Sequence, residues 1–227
     1  MSSDEMIGFA RKVPLFNTLN EGELTALCSV MILREFCMGD IIVHEDDEES
    51  QTFFLIVAGT VHVAVISSEG KQTILATLKR GAFFGEMALL DGEPRSASVV
   101  AAEKCKLFML YRKPFIDILQ RFPKITIQML VEMSRRQRKS NRHINTLSLM
   151  SVYGRIAEVI IQLGRDQGTR NGKVVVIQNR PTHQVIADMA GTSRETVSRV
   201  LSQLQKKQFI SMDRKKIVLL DEENLYD

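Results

Sequence analysis

The sequence lacks the features of a membrane or secreted protein. It has no run of roughly eighteen apolar residues, so no membrane-spanning helix is expected. Its first residues, MSSDEMIGFARK, lack the basic region and apolar stretch of a signal peptide. The three cysteines (Cys28, Cys37 and Cys105) are odd in number and widely spaced, which is typical of reduced thiols rather than a disulfide framework. We therefore expect a cytoplasmic protein without membrane contact.

The sequence also lacks the usual signatures of catalysis. It has no P-loop, no activated nucleophile and no paired carboxylates at a plausible metal site, so we expect neither an enzyme nor a metal centre. An iron–sulfur cluster usually needs four cysteine ligands, and three are present. The composition, 44% hydrophobic and 25% charged with a net charge of +3, is that of an ordinary globular protein.

Residues 14–112 alternate short apolar runs with turns, which predicts an all-β domain. The runs include IIV at 41–43, FFLIV at 53–57 and VHVAV at 61–65, and glycine-containing turns separate them. Strands of this length with regular turns favour a barrel or a sandwich. The run FML at 108–110 is predicted to be the last strand.

A long helix is predicted after the β domain, because no glycine or proline follows Pro123 before Met150. Its predicted dimer seam alternates steps of three and four residues: Leu130, Met133, Gln137, Ser140, Ile144 and Leu147. Polar residues in the middle of a seam either fix the register of the dimer or meet a ligand, and the spacing leaves both open. Five nearby cations raise the positive potential for an anion or form a solvated face: Arg135, Arg136, Arg138, Lys139 and Arg142.

The C-terminal part has the pattern of a helix-turn-helix. An amphipathic helix is expected from Val152 to a stop before Gly164, followed by a loop at 168–172 and a strand at 173–178. Thr182 is a suitable N-cap for the next helix, and Gly191 is placed to end it. A three-residue turn then leads into a second helix.

That second helix is predicted to pack one face and to offer the other to the major groove. The residues of the outer face are Arg194, Glu195, Ser198 and Arg199. Arginine can bond two acceptors of guanine, and glutamate can accept from the amine of cytosine. Ordinary solvated charges are the alternative, and Glu195 could instead close a capping box with Thr192. In the strand pair predicted at 209–212 and 217–220, the turn residues Arg214, Lys215 and Lys216 could contact phosphates or simply aid solubility.

The segment FFGEMALLDGEPRSASV at 83–99 has residue types suited to a nucleotide. Gly85 permits close backbone approach, and the short turn that follows can point amide N–H groups at a phosphate. Arg95 has a planar, charged fork for phosphate oxygens, and Ser96 adds a hydroxyl donor. Glu86 is an acceptor suited to a ribose hydroxyl. A loop in which Glu86 and Arg95 form an ion pair is the alternative.

Four segments resemble the cyclic-AMP receptor protein family of bacterial transcription regulators. The motif FGEMALL…PRSA is similar to the family's phosphate-binding cassette, and GTSRETVSRVL resembles its recognition helix. MSVYGRIAEVI resembles the hinge, and PLFNTLNEGEL the N-terminal lead-in. The resemblance implies an α+β fold: a jelly-roll cyclic-nucleotide-binding domain over 1–122, a dimerisation helix over 123–150 and a winged helix-turn-helix over 151–227.

The resemblance also implies roles for single residues. Ligand-binding positions would be Gly85 and Met87 through the backbone, Glu86 at the ribose, Arg95 and Ser96 at the cyclic phosphate, and Ser140 and Asn141 at the adenine. DNA-binding positions would be Arg194, Glu195 and Arg199, which match the family's base-contacting residues, with Ser198 on the same outer face. The implied partners are cyclic AMP as allosteric ligand, a second copy of the chain, double-stranded DNA with a TGTGA-like palindrome, and RNA polymerase.

Asn141 departs from the family pattern, because a hydroxyl residue is usual there in cyclic-AMP-responsive members. The alternative is the same fold with another signal: cyclic GMP, cyclic di-GMP, or redox or gas sensing through a haem. His62 lies on a predicted strand where a haem ligand is conceivable, although a lone strand histidine is more often structural.

Overall fold

The computed structural model describes residues 2–47, 51–66, 72–172, 174–178, 180–213 and 215–221, without the side chains at 66, 72, 142, 143, 145 and 147. The chain forms two compact units, Met1–Gln137 and Arg138–Asp227. None of the described helices is long and apolar enough to cross a membrane.

The first unit is a two-sheet β domain flanked by helices. Its elements are α1 (Ser3–Ala10), α2 (Glu21–Cys28), β1 (Ile32–Phe36), β2 (Ile41–Val43), β3 (Thr52–Ala58), β4 (Thr60–Ile66), β5 (Gln72–Lys79), β6 (Phe83–Phe84), α3 (Glu86–Asp91), β7 (Ser98–Ala101), β8 (Cys105–Tyr111) and α4 (Arg112–Arg121). One sheet has the order β1-β8-β3-β6 and the other β2-β7-β4-β5, with antiparallel pairing throughout. The expected jelly-roll type of domain is confirmed.

Two apolar clusters hold this unit together. Phe54, Ile56, Val99 and Leu107 belong to the cluster made by residues of both sheets. On the other side of the β3–β8 sheet, helices α1, α2, α4 and the start of α5 (Pro123–Leu149) bury a second, larger cluster. Strand β3 separates the two clusters and is therefore a nearly continuous apolar run, buried at six of its seven positions.

The second unit is a small three-helix domain with a four-stranded sheet. After the remainder of α5 come α6 (Val152–Gln167), β9 (Gly168–Asn171), β10 (Val174–Gln178), α7 (His183–Ala190), α8 (Arg194–Lys206), β11 (Ile210–Met212) and β12 (Lys216–Leu219). The sheet order is β11-β12-β10-β9. One core is shared by the inner faces of α6, α7 and α8 and by the sheet.

Two sequence predictions in this unit are wrong. Helix α6 does not stop before Gly164 but continues to Gln167, and the expected loop at 168–172 contains strand β9. Gly164 is buried where the helix packs on the sheet: a Cβ there would lie 2.8 Å from Leu219 Cδ1. This glycine therefore permits close packing rather than ending the helix, and β9 is polar because it is largely exposed.

The adjacent leucines of α3 form a matched pair for testing the first core. Leu89 is fully buried, whereas Leu90 is 43% exposed. Leu89→Ala leaves a cavity and should lower the free energy of unfolding by about 2–5 kcal/mol. Leu90→Ala should cost less, about 1 kcal/mol, because 43% of the residue's surface is already exposed to water in the folded protein. Urea denaturation of both variants measures the difference, and equal losses would contradict the packing of α3.

Candidate nucleotide site and DNA-contacting surface

The turn between β6 and α3 is built around Gly85. Its backbone is left-handed, with φ of 81°. A Cβ at this position would lie 2.7 Å from the carbonyl oxygen of Thr52 and 2.8 Å from Nη1 of Arg95. Both the backbone conformation and the close contact with two polar groups therefore require glycine here.

Arg95 lies underneath this turn, and only 3% of its surface is exposed. Nη1 donates to the carbonyl of Gly85 at 2.7 Å, and Nη2 donates to the carbonyl of Thr52 at 2.8 Å. Burial lowers the pKa of the guanidinium, while the carboxylates of Asp47 and Glu86 oppose that shift. Because an arginine side chain stays protonated in proteins, the turn has a fixed positive charge beneath it.

Glu86, the first residue of α3, is 4% exposed, and its ion-pair partner is Arg136 of α5. The distance from Oε1 of Glu86 to Nη1 of Arg136 is 3.1 Å. Burial raises the pKa of the Glu86 carboxyl, and the charge of Arg136 opposes the rise. Burial therefore disfavours the charged form of Glu86, and the cation from the long helix favours it.

Arg136 is the residue of this site that sequence reasoning missed. Its Nη2 donates to the carbonyl of Phe83 at 2.7 Å, its guanidinium carbon lies 4.3 Å from the centroid of the Phe83 ring, and its Nε is 3.4 Å from Glu132. A usable signal was present: Ile125 and Met129 are buried residues of α5, and Arg136 falls on the same helical face. Because Arg136 is one of five neighbouring cations, the sequence alone does not distinguish it from the solvent-exposed ones.

The remaining cassette residues are exposed around the turn. The hydroxyl of Ser96 lies 3.9 Å from the sulfur of Met87, and both side chains are accessible to solvent. The structure therefore brings together Gly85, Glu86, Met87, Arg95 and Ser96, the five cassette residues singled out from the sequence. It combines a buried cation, a buried carboxylate and an exposed hydroxyl, which together can bind an anion that also has hydroxyl groups.

Ser140 and Asn141 are exposed residues of α5 beyond Gln137, where the first compact unit ends. Their proposed contact with a base therefore stays a prediction. Along the predicted seam, Leu130 and Ile144 are each 58% exposed. Met133 packs partly against the core of the first unit, and the side chain of Leu147 lies outside the described residues, so the seam stays a prediction at both positions.

The helix-turn-helix has the predicted caps. Thr182 accepts a hydrogen bond from the backbone N–H of Val185, and Gly191 ends α7 with φ of 61°. Helix α8 begins after Ser193, whose hydroxyl accepts from the backbone N–H of Thr196. Since Ser193 is the N-cap, the alternative capping box from Thr192 to Glu195 does not form.

Helix α8 has one buried and one exposed face, as predicted. The buried residues are Val197, Val200, Leu201 and Leu204. The exposed residues include Arg194, Glu195, Ser198 and Arg199. The pKa of Glu195 is lowered because its carboxylate accepts hydrogen bonds from its own backbone N–H and from Ser193. The outer face thus presents ionised donors and acceptors to solvent.

Arg155 of α6 fixes the turn of the motif. Its Nε donates to the carbonyl of Ala190 at 2.9 Å and its Nη2 to that of Gly191 at 3.3 Å. At the β11–β12 turn, Asp213 accepts from the backbone N–H groups of Lys215 and Lys216. Arg214 lies outside the described residues, so the predicted phosphate contact of this turn remains a prediction for Lys215 and Lys216.

His62, the residue considered as a haem ligand, has a partner on the neighbouring strand. Nδ1 of His62 lies 3.1 Å from the hydroxyl of Thr77 on the neighbouring strand, which suits a structural histidine. Within the described ranges, no group of three or more His, Cys, Asp or Glu side chains could hold a metal ion.

Comparison with known proteins matches both halves of the chain. The family model described as the cyclic nucleotide-binding domain covers residues 33–122, and that described as the Crp-like helix-turn-helix domain covers residues 154–227. A sensor domain of this type joined to a helix-turn-helix defines a cyclic-nucleotide-binding transcription regulator. The chain belongs to the family of the cyclic AMP receptor protein, as its sequence motifs suggest.

Two curated relatives and one solved structure illustrate the likeness. The cyclic AMP receptor protein of Thermus thermophilus is 34% identical over 84% of this chain and 85% of its own. The cAMP-activated global transcriptional regulator CRP of Escherichia coli O6:H1 is 33% identical over 78% of this chain and 84% of its own. The c-di-GMP-responsive regulator CLP of Xanthomonas campestris shares the fold, with a TM-score of 0.77, 21% identity and coverage of 88% and 99%.

The packing of Gly85 can be tested against Gly81, which also has a positive φ but where an added Cβ would have no atom within 4 Å. Gly81→Ala should cost about 1–2 kcal/mol through the left-handed backbone alone. Gly85→Ala adds a collision with Thr52 and Arg95, worth about 1–3 kcal/mol more. Chemical denaturation compares the two, and equal costs would show that the turn tolerates a side chain.

Proposed function

We propose that this protein is a cyclic-AMP-activated transcription regulator that acts as a cytoplasmic homodimer on a palindromic DNA site. The observation on which this rests is the contact of Arg136 with Glu86 and Phe83, because it joins the nucleotide cassette to the long helix. In this proposal the protein is not an enzyme, because its ligand acts as a signal and is released unchanged.

The chemistry of the cassette supports a cyclic nucleotide. The exposed hydroxyl of Ser96 and the charge of Arg95 suit a phosphate, and the carboxylate of Glu86 suits a ribose hydroxyl. Cyclic AMP is favoured because two relatives at 33–34% identity are named for it. The likeness to CLP, at 21% identity, concerns the fold, so cyclic di-GMP stays the alternative together with cyclic GMP, which the amide of Asn141 leaves open.

The contact of Arg136 suggests how the ligand acts. A ribose that hydrogen bonds to Glu86 changes the partner set of a buried carboxylate, and Arg136 responds because it bonds the same group. A ligand can shift the protein toward its DNA-binding state only by binding that state more tightly. We propose that the DNA-binding state differs from the other state along α5, where Gln137, Ser140 and Asn141 are exposed polar residues of the proposed dimer seam.

The second copy is supported by the exposed apolar residues of α5. Ile127 and Leu130 are 59% and 58% exposed, and Val131 is 39% exposed on the same stretch. A helix of 27 residues with such a stripe is suited to a two-helix seam. A dimer places two α8 helices at the spacing of half-sites, which explains the palindrome, and RNA polymerase would be the partner through which transcription changes.

Ligand-dependent DNA binding is the first test. Fluorescence anisotropy on a labelled duplex with a TGTGA palindrome, at fixed salt, should show at least tenfold tighter binding with cyclic AMP, or about 1.4 kcal/mol of coupling. Cyclic GMP and cyclic di-GMP are the matched controls. Equal affinity with and without cyclic AMP would remove it as the effector but keep DNA binding, and binding tightened by another nucleotide would reassign the ligand.

The phosphate contact is best tested at Ser96. Arg95→Leu should abolish nucleotide binding, but it also leaves two buried carbonyls without their donor and so should destabilise the fold. Ser96→Ala removes only an exposed hydroxyl. A hydrogen bond to a charged group contributes about 1.5–3 kcal/mol, so its Kd for cyclic AMP should rise roughly tenfold or more.

Ser29→Ala is the control for this variant, because Ser29 is also an exposed serine of the same unit. Isothermal titration calorimetry gives both affinities. An unchanged Kd for Ser96→Ala would contradict the phosphate assignment.

A further inference from the structure

The second unit has an open cleft of about 420 Å³ between the start of α6 and the end of α8. Its lining residues are Tyr153, Gln203, Lys206 and Lys207. Two of the four are cations, and no carboxylate is among them. A concave surface with this lining attracts an anion.

The cleft continues the outer face of α8. At 100° and 1.5 Å per residue, Lys206 lies two turns beyond Arg199 on almost the same line, about 10.5 Å further along the axis. Gln203 lies one turn beyond Arg199. The exposed face that holds the proposed base-contacting residues therefore leads directly into the cleft.

The two lysines differ in how they are held. The ammonium of Lys207 lies 5.8 Å from the centroid of the Tyr153 ring and 5.5 Å from that of Phe209. Lys206 is exposed and forms no ion pair within the described part of the chain. Both lysines lie at the C-terminal end of α8, where the helix dipole stabilises cations.

We propose that this cleft binds a phosphate of the DNA backbone, with Lys206 as the main donor. The inference rests on the DNA binding proposed above. The major groove is about 12 Å wide, so a cation about 10.5 Å beyond Arg199 reaches a strand that borders the groove. Gln203 offers an amide donor beside it, and the rings under Lys207 keep the second charge at the cleft wall. A contact of this kind positions the protein without distinguishing sequences.

The test is the salt dependence of DNA binding by the full-length Lys206→Gln variant in the presence of cyclic AMP. Each phosphate contact contributes about 0.9 to the slope of log K against log salt. The slope should therefore become shallower by about 0.9 for each cleft that reaches DNA, or about 1.8 for a homodimer. The change should be the same on a TGTGA palindrome and on a random duplex of equal length, because a phosphate contact does not depend on sequence.

Arg165→Gln is the matched control. Arg165 is also an exposed cation in the last turn of a helix, but it lies twelve residues, or about 18 Å, along α6 from Tyr153. Its loss should leave the slope unchanged. Circular dichroism melting of both variants shows whether either change affects folding.

The outcomes separate this inference from the proposed function. Wild-type protein that binds neither duplex would overturn both. Wild-type binding with an equal slope for Lys206→Gln and Arg165→Gln would overturn the cleft alone. Thermal stabilisation by inorganic phosphate that depends on Lys206, together with an unchanged slope, would also overturn it by assigning the cleft to a free anion. A slope change confined to the palindrome would replace the phosphate with a base.

Discussion

The buried guanidinium of Arg95 is the constraint on which the first unit depends. It donates to the carbonyls of Gly85 and Thr52, so one side chain joins the α3 turn to the start of β3. A buried charge is tolerated only where hydrogen bonds and opposite charges compensate it, and Asp47 and Glu86 supply those charges. Gly85 follows from the same constraint, since any side chain there would occupy the space of the guanidinium.

The ion pair of Glu86 and Arg136 extends this network from the cassette to α5. The carboxylate of Glu86 is only 4% exposed, so few groups other than Arg136 can hydrogen bond to it. A ligand hydroxyl that bonds to this carboxylate therefore either replaces Arg136 or bonds beside it. Small changes in the distance between charges at such a site change the electrostatic energy strongly, because little water screens them. Because Arg136 lies on the long helix, a change in the bonding of Glu86 also affects α5.

Sequence patterns correctly predicted the features that depend only on residues close together in the chain. The caps at Thr182 and Gly191 and the two faces of α8 depend on neighbouring residues, and they are found as predicted. Gly164 and Arg136 were misjudged or overlooked for a common reason. Gly164 is explained by its contact with Leu219 and Arg136 by its contact with Glu86, both distant in sequence, and periodicity has no information on such contacts. The same limit hid the role of Arg95 as a structural donor to Thr52.

The exposed face of α8 has different charged residues at its two ends. Arg194 to Arg199 fill the first two turns, where a helix in the major groove meets base edges, and this stretch includes a carboxylate. In the proposed complex with DNA, the carboxylate of Glu195 would be repelled by the phosphate backbone and would contribute only through discrimination between bases. The cations proposed to contact a phosphate at the other end of the helix would offset that repulsion. The two proposals together assign base discrimination to the first two turns of α8 and the backbone contact to its last turn.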